Sequence, residues 1–166
     1  MKQYLILIGL ILVFNFTFCQ NRVFNYDSTI SFIPIQDWND VSDGKEMIYI
    51  QPLQSTFDFY NERVHINKFP NEGLNLDEYW KKYVTDDYKY QFEDFYAYSV
   101  FDSYIDNKRA KGIIFTNKLE GITLKSKQYS VENKGFIYLF FLITTEKNYP
   151  KVEPLFEKMV ESIKIY

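Results

Sequence analysis

Apolar side chains recur at Leu76, Tyr79, Trp80, Tyr83 and Val84, which is the spacing of one helix face. Asn75 stands immediately before this stripe and Glu78 three residues further on. That is the pattern of a capping box, in which each side chain satisfies a backbone donor of the other. A second stripe, Val152, Leu155, Phe156, Met159, Val160 and Ile163, predicts a closing helix. Pro150 and Pro154 fit that helix only before or within its first turn, where a missing N–H removes no intrahelical bond.

Between and before the helices the pattern is that of strands. Ile30 to Ile35 is rich in β-formers, but Pro34 cannot donate to a ladder, which predicts an edge or a strand end. Glu46 to Leu53 and Glu62 to Phe69 follow. From Gln91 to about Ile105, then over Lys108–Asn117, Ile122–Val131 and Phe136–Thr145, four strands succeed one another. Asp106-Asn107, Glu120-Gly121 and Asn133-Lys134-Gly135 separate them, and this turn chemistry predicts an antiparallel meander. Phe136 to Ile143 is apolar without alternation, as expected of a central strand covered on both faces. The expected fold class is α+β: an antiparallel β-sheet of about six strands packed with two amphipathic α-helices. No repeat, low-complexity tract or linker divides residues 20–166, which are expected to form a single domain.

The first residues follow another rule. Lys2 precedes an uncharged apolar run from Leu5 to Phe14, the n-region and h-region of a secretory signal, so residues 1–19 read as a signal peptide. The run is shorter than the roughly 20 residues that a membrane span needs. Two fates are open for Cys19. It is discarded by cleavage after it, or it is kept as the acylated residue of a lipoprotein, although bulky Phe18 stands where a lipobox wants a small residue. The expected location is periplasmic or secreted, with a lipid-anchored envelope protein as the alternative. Membrane attachment is expected only if Cys19 is lipidated, because no transmembrane helix is expected in the mature chain.

Cleavage would remove Lys2 and take the formal charge from -3 to -4. A mildly acidic surface of mixed sign offers no footprint for nucleic acid. Cys19 is the only cysteine, so the mature chain has no disulfide and must hold together through its core. Aromatic residues make up 20% of the chain, with 16 Phe and 15 Tyr, and most fall on element faces, which assigns them to that core.

The order of elements resembles the PsbP-like family, α+β domains that include extrinsic photosystem proteins and DcrB-like envelope lipoproteins. The residues that carry the resemblance are Ile30-Ser31-Phe32-Ile33-Pro34 with Trp38, Leu76-Asp77-Glu78-Tyr79, and Lys111-Gly112. Gln128-Tyr129 with Gly135 and Tyr138, and Phe156 with Ser162-Ile163-Lys164-Ile165, complete it. It implies an accessory or scaffold protein without catalysis. It transfers no binding residue.

Candidate chemistry is sparse. His65 is the only histidine; on its strand it shares a face with Arg63 and Asn67 and is expected at the solvent or the sheet rim. One histidine and no mature cysteine leave no His/Cys metal site and no thiol nucleophile, and no Gly-x-Ser-x-Gly elbow occurs. Asp37 to Gly44 is rich in oxygen ligands but fails the EF-hand template at Val41, Ser42 and Ile48, so it reads as a solvated turn. The carboxylate pairs Asp86-Asp87, Glu93-Asp94 and Asp102 with Asp106 read as surface charge. No cofactor and no metal are expected. An aromatic strand remains. Strict alternation puts Tyr90, Phe92, Asp94, Tyr96, Tyr98, Val100, Asp102 and Tyr104 on one face, which a helix is expected to cover; left open, Tyr90, Tyr96, Tyr98 and Tyr104 would make a ligand-binding platform. The expectation is an exported non-catalytic accessory or interaction protein of the bacterial cell envelope, with an envelope or secreted protein as partner. A small-ligand or glycan-binding module using the tyrosines is the alternative.

Overall fold

The computed structural model describes residues 21–44, 46–53, 60 and 62–166; the expected signal segment lies outside them. Short strands β1 (Val23–Phe24), β2 (Ile30–Phe32), β3 (Asn39–Asp40) and β4 (Met47–Ile50) lead to β5 (Arg63–Pro70). A helical segment follows, made of α1 (Leu76–Trp80), a π-helical stretch (Lys81–Asp86) and α2 (Tyr88–Gln91). The chain then runs through β6 (Glu93–Ile105), β7 (Lys108–Leu119), β8 (Ile122–Asn133) and β9 (Phe136–Thr145), and ends with α3 (Tyr149–Glu161) and β10 (Lys164–Ile165).

Three two-residue hairpins build the meander. Ile105 pairs with Lys108, Leu119 with Ile122, and Asn133 with Phe136. The enclosed pairs Asp106-Asn107, Glu120-Gly121 and Lys134-Gly135 all have φ between 48° and 81°. Positive φ at both central residues is the type I′ geometry, whose twist matches that of the flanking strands. β9 then pairs with β5, and the full order is β3-β4-β5-β9-β8-β7-β6, leaving β6 at an edge. A separate three-stranded sheet, β1-β2-β10, holds the opening strand. Among the described residues the count of about six strands is thereby corrected to seven and three. The additional strands β1, β3 and β10 are two residues long, below the length at which any periodicity shows.

Residues opposed in antiparallel strands share a face, so register assigns each side chain. The row Phe101, Gly112, Tyr129, Phe140, Ile66 faces α3, and the adjacent row Val100, Ile113, Gln128, Phe141, His65 faces α1 and α2. On the α3 side, buried Val152, Phe156, Met159 and Val160 pack into one cluster with Ile30, Phe32, Tyr129, Tyr138, Phe140 and Leu142. On the opposite side Leu76 and Tyr79 cover Ile137, while Trp80, Val84 and Tyr88 cover Ile113 and Phe115. The capping box forms as expected: Asn75 accepts from the backbone of Asp77 and Glu78, and the Glu78 carboxylate accepts from Asn75 N–H.

Pro154 departs from expectation. Pro150 lies in the first turn of α3, but Pro154 is inside the helix, where it forfeits one backbone bond at a typical cost of about 3 kcal/mol. Complete burial of Phe156 and near-complete burial of Met159 at 2% exposure offset that loss through tertiary packing.

Candidate functional site

Register sets where the four tyrosines go. Glu93 pairs with Lys118 and Tyr96 with Thr116, so three steps on β6 answer two on β7; Asp94, within this bulge, has φ 49°. Ala97 then pairs with Phe115 but Ser99 with Ile114, which makes Tyr98 an extra residue in a second bulge. Each bulge shifts the alternation by one residue. Tyr96 therefore shares the α3 side of the sheet with Thr116 and Lys125, while Tyr104, beyond the second bulge, lies opposite Arg109 on the α1 side. Tyr90 is on α2 rather than on the strand. The expected single face thus divides: the structure brings Tyr96 and Tyr98 together and leaves Tyr90 and Tyr104 apart from them.

No helix among the described residues covers these tyrosines. Tyr96 is 61% exposed, Tyr98 52%, Tyr104 74% and Tyr90 81%, which overturns the expectation of a covered face. Strand β6 is an edge, and α3 begins only at Tyr149, so its first turn stops short of the Tyr96–Tyr98 pair. The rings of Tyr96 and Tyr98 meet edge to face at 4.9 Å. Lys125 Nζ lies 4.8 Å from the centre of the Tyr98 ring and 4.7 Å from that of Tyr149, bridging the edge strand to the start of α3.

Beside this corner is a buried cation. Lys127 Nζ reaches Glu153 at 2.7 Å and Glu157 at 2.9 Å from a side chain only 9% exposed. Burial works to lower its pKa, but hydrogen bonds to Glu153 and Glu157 outweigh burial and leave it raised. Tyr129 donates to Glu157, and its hydroxyl is held well above the ordinary phenol range, first by burial and then by that carboxylate. These groups answer one another and knit α3 to β8.

The other side of the sheet is less complete. The helical segment covers the rows nearest Ile137 and Ile113, and beyond them a cleft of about 410 Å³ opens between the sheet and the Phe92–Glu93 bend. Arg63, His65 and Ser126 line it. Arg63 and Ser126 both lie opposite Ile143, and His65 lies opposite Phe141, so all three side chains belong to this face. Arg63 Nε, His65 Nε2 and Ser126 Oγ are buried and have no hydrogen-bond partner among the described residues. The His65 ring is held from behind, with Nδ1 2.6 Å from Glu46 Oε1. Its side chain is 18% exposed, so the expected position at the solvent or rim is corrected to the cleft floor; its sharing of a face with Arg63 is as expected. Sequence reasoning missed Ser126, since one serine on a long strand carries no signal until the register places it two strands from Arg63.

Three of the candidate carboxylates and the oxygen-rich loop are engaged in ordinary structure. Asp94 pairs with Lys118, Asp102 with Arg109, and Asp106 with Lys164. In the Asp37 to Gly44 loop, Asp40 accepts from Ser42 N–H and its hydroxyl, a local turn. Among the described residues no helix is long and apolar enough to cross a membrane.

No family model and no curated protein matches the sequence. Solved structures do match. The chain is similar to the Ran-binding protein Mog1p of Saccharomyces cerevisiae, with 12% identity, TM-score 0.63, and coverage of 87% of this chain and 94% of that one. It is similar to cyanobacterial PsbP (CyanoP) of Synechocystis sp. PCC 6803, with 15% identity, TM-score 0.60, and coverage of 88% and 92%. It is similar also to LpqN, involved in cell envelope biogenesis of Mycobacterium tuberculosis, with 11% identity, TM-score 0.64, and coverage of 87% and 89%. At such identities the likeness is one of fold, and the fold is the one the sequence resemblance implies: an α+β domain of the PsbP and Mog1 kind.

Proposed function

We propose that the chain is an exported, non-catalytic accessory protein of the bacterial cell envelope that works by protein contact through the β6 edge. The observation that carries this reading is the exposure of Tyr96, Tyr98, Val100 and Tyr104 along one edge strand. Tyrosines of this kind offer large, stiff contact area with a polar tip, the composition favoured at interface centres. The neighbours of the same fold support it: a Ran-binding protein, a PsbP and a protein of envelope biogenesis. Export rests on Lys2 and the apolar run Leu5–Phe14. Cys19 then decides between a diffusing and a lipid-anchored domain, which mass spectrometry of the mature amino terminus reads directly.

Photo-crosslinking in the native envelope tests the contact surface. A benzoyl-phenylalanine at position 98 is expected to yield one discrete adduct, lost when Tyr96→Ala and Tyr104→Ala are added. Equal yields from position 98 and from exposed Lys151 on α3 would refute it. A second reading, a small-glycan site, draws on the Tyr96–Tyr98 corner with Lys125 beneath it. It predicts that a soluble oligosaccharide quenches the fluorescence of these tyrosines saturably.

A further inference from the structure

The cleft beneath the Phe92–Glu93 bend opens on the opposite face of the sheet from Tyr96, and we propose that it binds a small amphiphile with a carboxylate head and an apolar tail. Its volume of about 410 Å³ falls within the range of small-ligand sites, roughly 300–1,000 Å³. Buried polar atoms in folded proteins are nearly always paired, because each unpaired one costs about 1–3 kcal/mol. Here three unpaired ones, Arg63 Nε, His65 Nε2 and Ser126 Oγ, gather in one cleft. Ser126 is only 1% exposed, so solvent does not relieve it.

The placement of these atoms selects the head group. Arg63 and Ser126 flank Ile143 in a single cross-strand row, and His65 stands over the next row at Phe141. A group centred above Ile143 therefore has a guanidinium on one side and a hydroxyl on the other, both of them donors. Arg63 makes no ion pair among the described residues; its guanidinium carbon lies 5.1 Å from the centre of the Tyr60 ring, and the Tyr60 side chain also interacts with it by hydrogen bonding, which leaves Nε free. A planar carboxylate matches this arrangement, with one oxygen accepting from Arg63 and the other from Ser126. With Nδ1 engaged by Glu46, His65 Nε2 borders the same space, and the two donors assigned to the head group are Arg63 and Ser126. Phe92, Leu119, Leu124, Phe141 and Ile143 supply the apolar part of the lining, and Gln91, Glu93, Asn117 and Lys118 stand among the other residues that line the cleft. The apolar part fits an alkyl or aryl tail.

Calorimetric titration with decanoate, kept below its micelle-forming concentration, tests the proposal, with decanol as the uncharged match. Saturable binding of decanoate at one site is expected, with decanol at least tenfold weaker. Arg63→Gln and Ser126→Ala are each expected to weaken decanoate at least fivefold, and Lys151→Ala, far from the cleft, to leave it within twofold. Methyl resonances of Leu124 and Ile143 are expected to shift on titration. Equal affinity for decanol, unmoved Leu124 and Ile143 methyls, or undiminished binding by Ser126→Ala would each overturn it. Ser126→Ala removes no hydrogen bond, so it decides the matter even where Arg63→Gln fails to fold.

Discussion

The two faces of the seven-stranded sheet use similar residues to different ends. Toward α3 the packing is closed: Phe140, Leu142, Tyr138 and Phe156 are at 0–1% exposure. Even the buried cation Lys127 is answered there by two carboxylates. Toward α1 and α2 the cover is partial. Ile137 and Phe115 are fully buried, but Phe141 and Ile143 of β9 border a cleft with unpaired polar atoms. Both faces bury a core, but they differ in degree: the α3 face has one buried polar atom without a partner among the described residues, Tyr49 Oη, whereas the other face gathers three in one cleft, groups a stability-driven design would remove.

Adjacent residues on β9 give the sharpest way to break this comparison. Phe140→Ala, on the α3 face, is expected to cost about 3–5 kcal/mol in urea unfolding. Phe141→Ala, facing the cleft, is expected to cost less than half of that figure. Equal losses would show that the faces do not differ. Next in size is Lys127→Met, expected to cost about 1.5–3 kcal/mol by stranding Glu153 and Glu157, with the double variant Glu153→Gln, Glu157→Gln recovering part of it.

Gly112→Ala ranks beside it at about 1–3 kcal/mol. An added Cβ would lie 2.3 Å from the Phe101 ring, which covers this glycine and meets Tyr129 edge to face at 5.6 Å. Combining it with Phe101→Ala is expected to abolish most of that penalty, whereas additive losses would refute the ring contact.

The smallest effect concerns acid. Hydrogen bonds from Arg109 and then Lys111 hold the Asp77 carboxyl at about 2, below its ordinary 3.8. A carboxylate with a depressed folded pKa contributes stability above its unfolded value and loses it as pH falls through the folded one. Asp77→Asn is therefore expected to flatten the stability profile between about pH 4 and pH 2 and to leave it level above pH 5; an unchanged acid limb would contradict the pairing.

Much of the fold was legible in the sequence because its signals are local. The Asn75–Glu78 capping box, the hairpin pairs Asp106-Asn107 and Glu120-Gly121 and the α3 stripe each declare themselves within a few residues. The tyrosine face was not legible, since strict alternation presumes a constant register, and nothing local announced that Asp94 and Tyr98 would bulge. The helix at Tyr88–Gln91 was lost in an aromatic run that reads equally well as strand. The cleft was invisible for a further reason: Arg63 and His65 stand 63 and 61 residues before Ser126 in the chain and meet it only through pairing to β9.

Two serines on one strand test the central claim most directly. Ser126 and Ser130 both lie on β8, face the same side and are at 1% and 0% exposure, but Ser130 Oγ accepts from Gln128 Nε2 at 3.2 Å while Ser126 Oγ has no partner among the described residues. If the cleft is kept polar for a ligand rather than for the fold, Ser126→Ala raises the unfolding free energy by about 0.5–1.5 kcal/mol and Ser130→Ala lowers it by about 1–3 kcal/mol. A loss of stability in Ser126→Ala as large as that in Ser130→Ala would contradict the account.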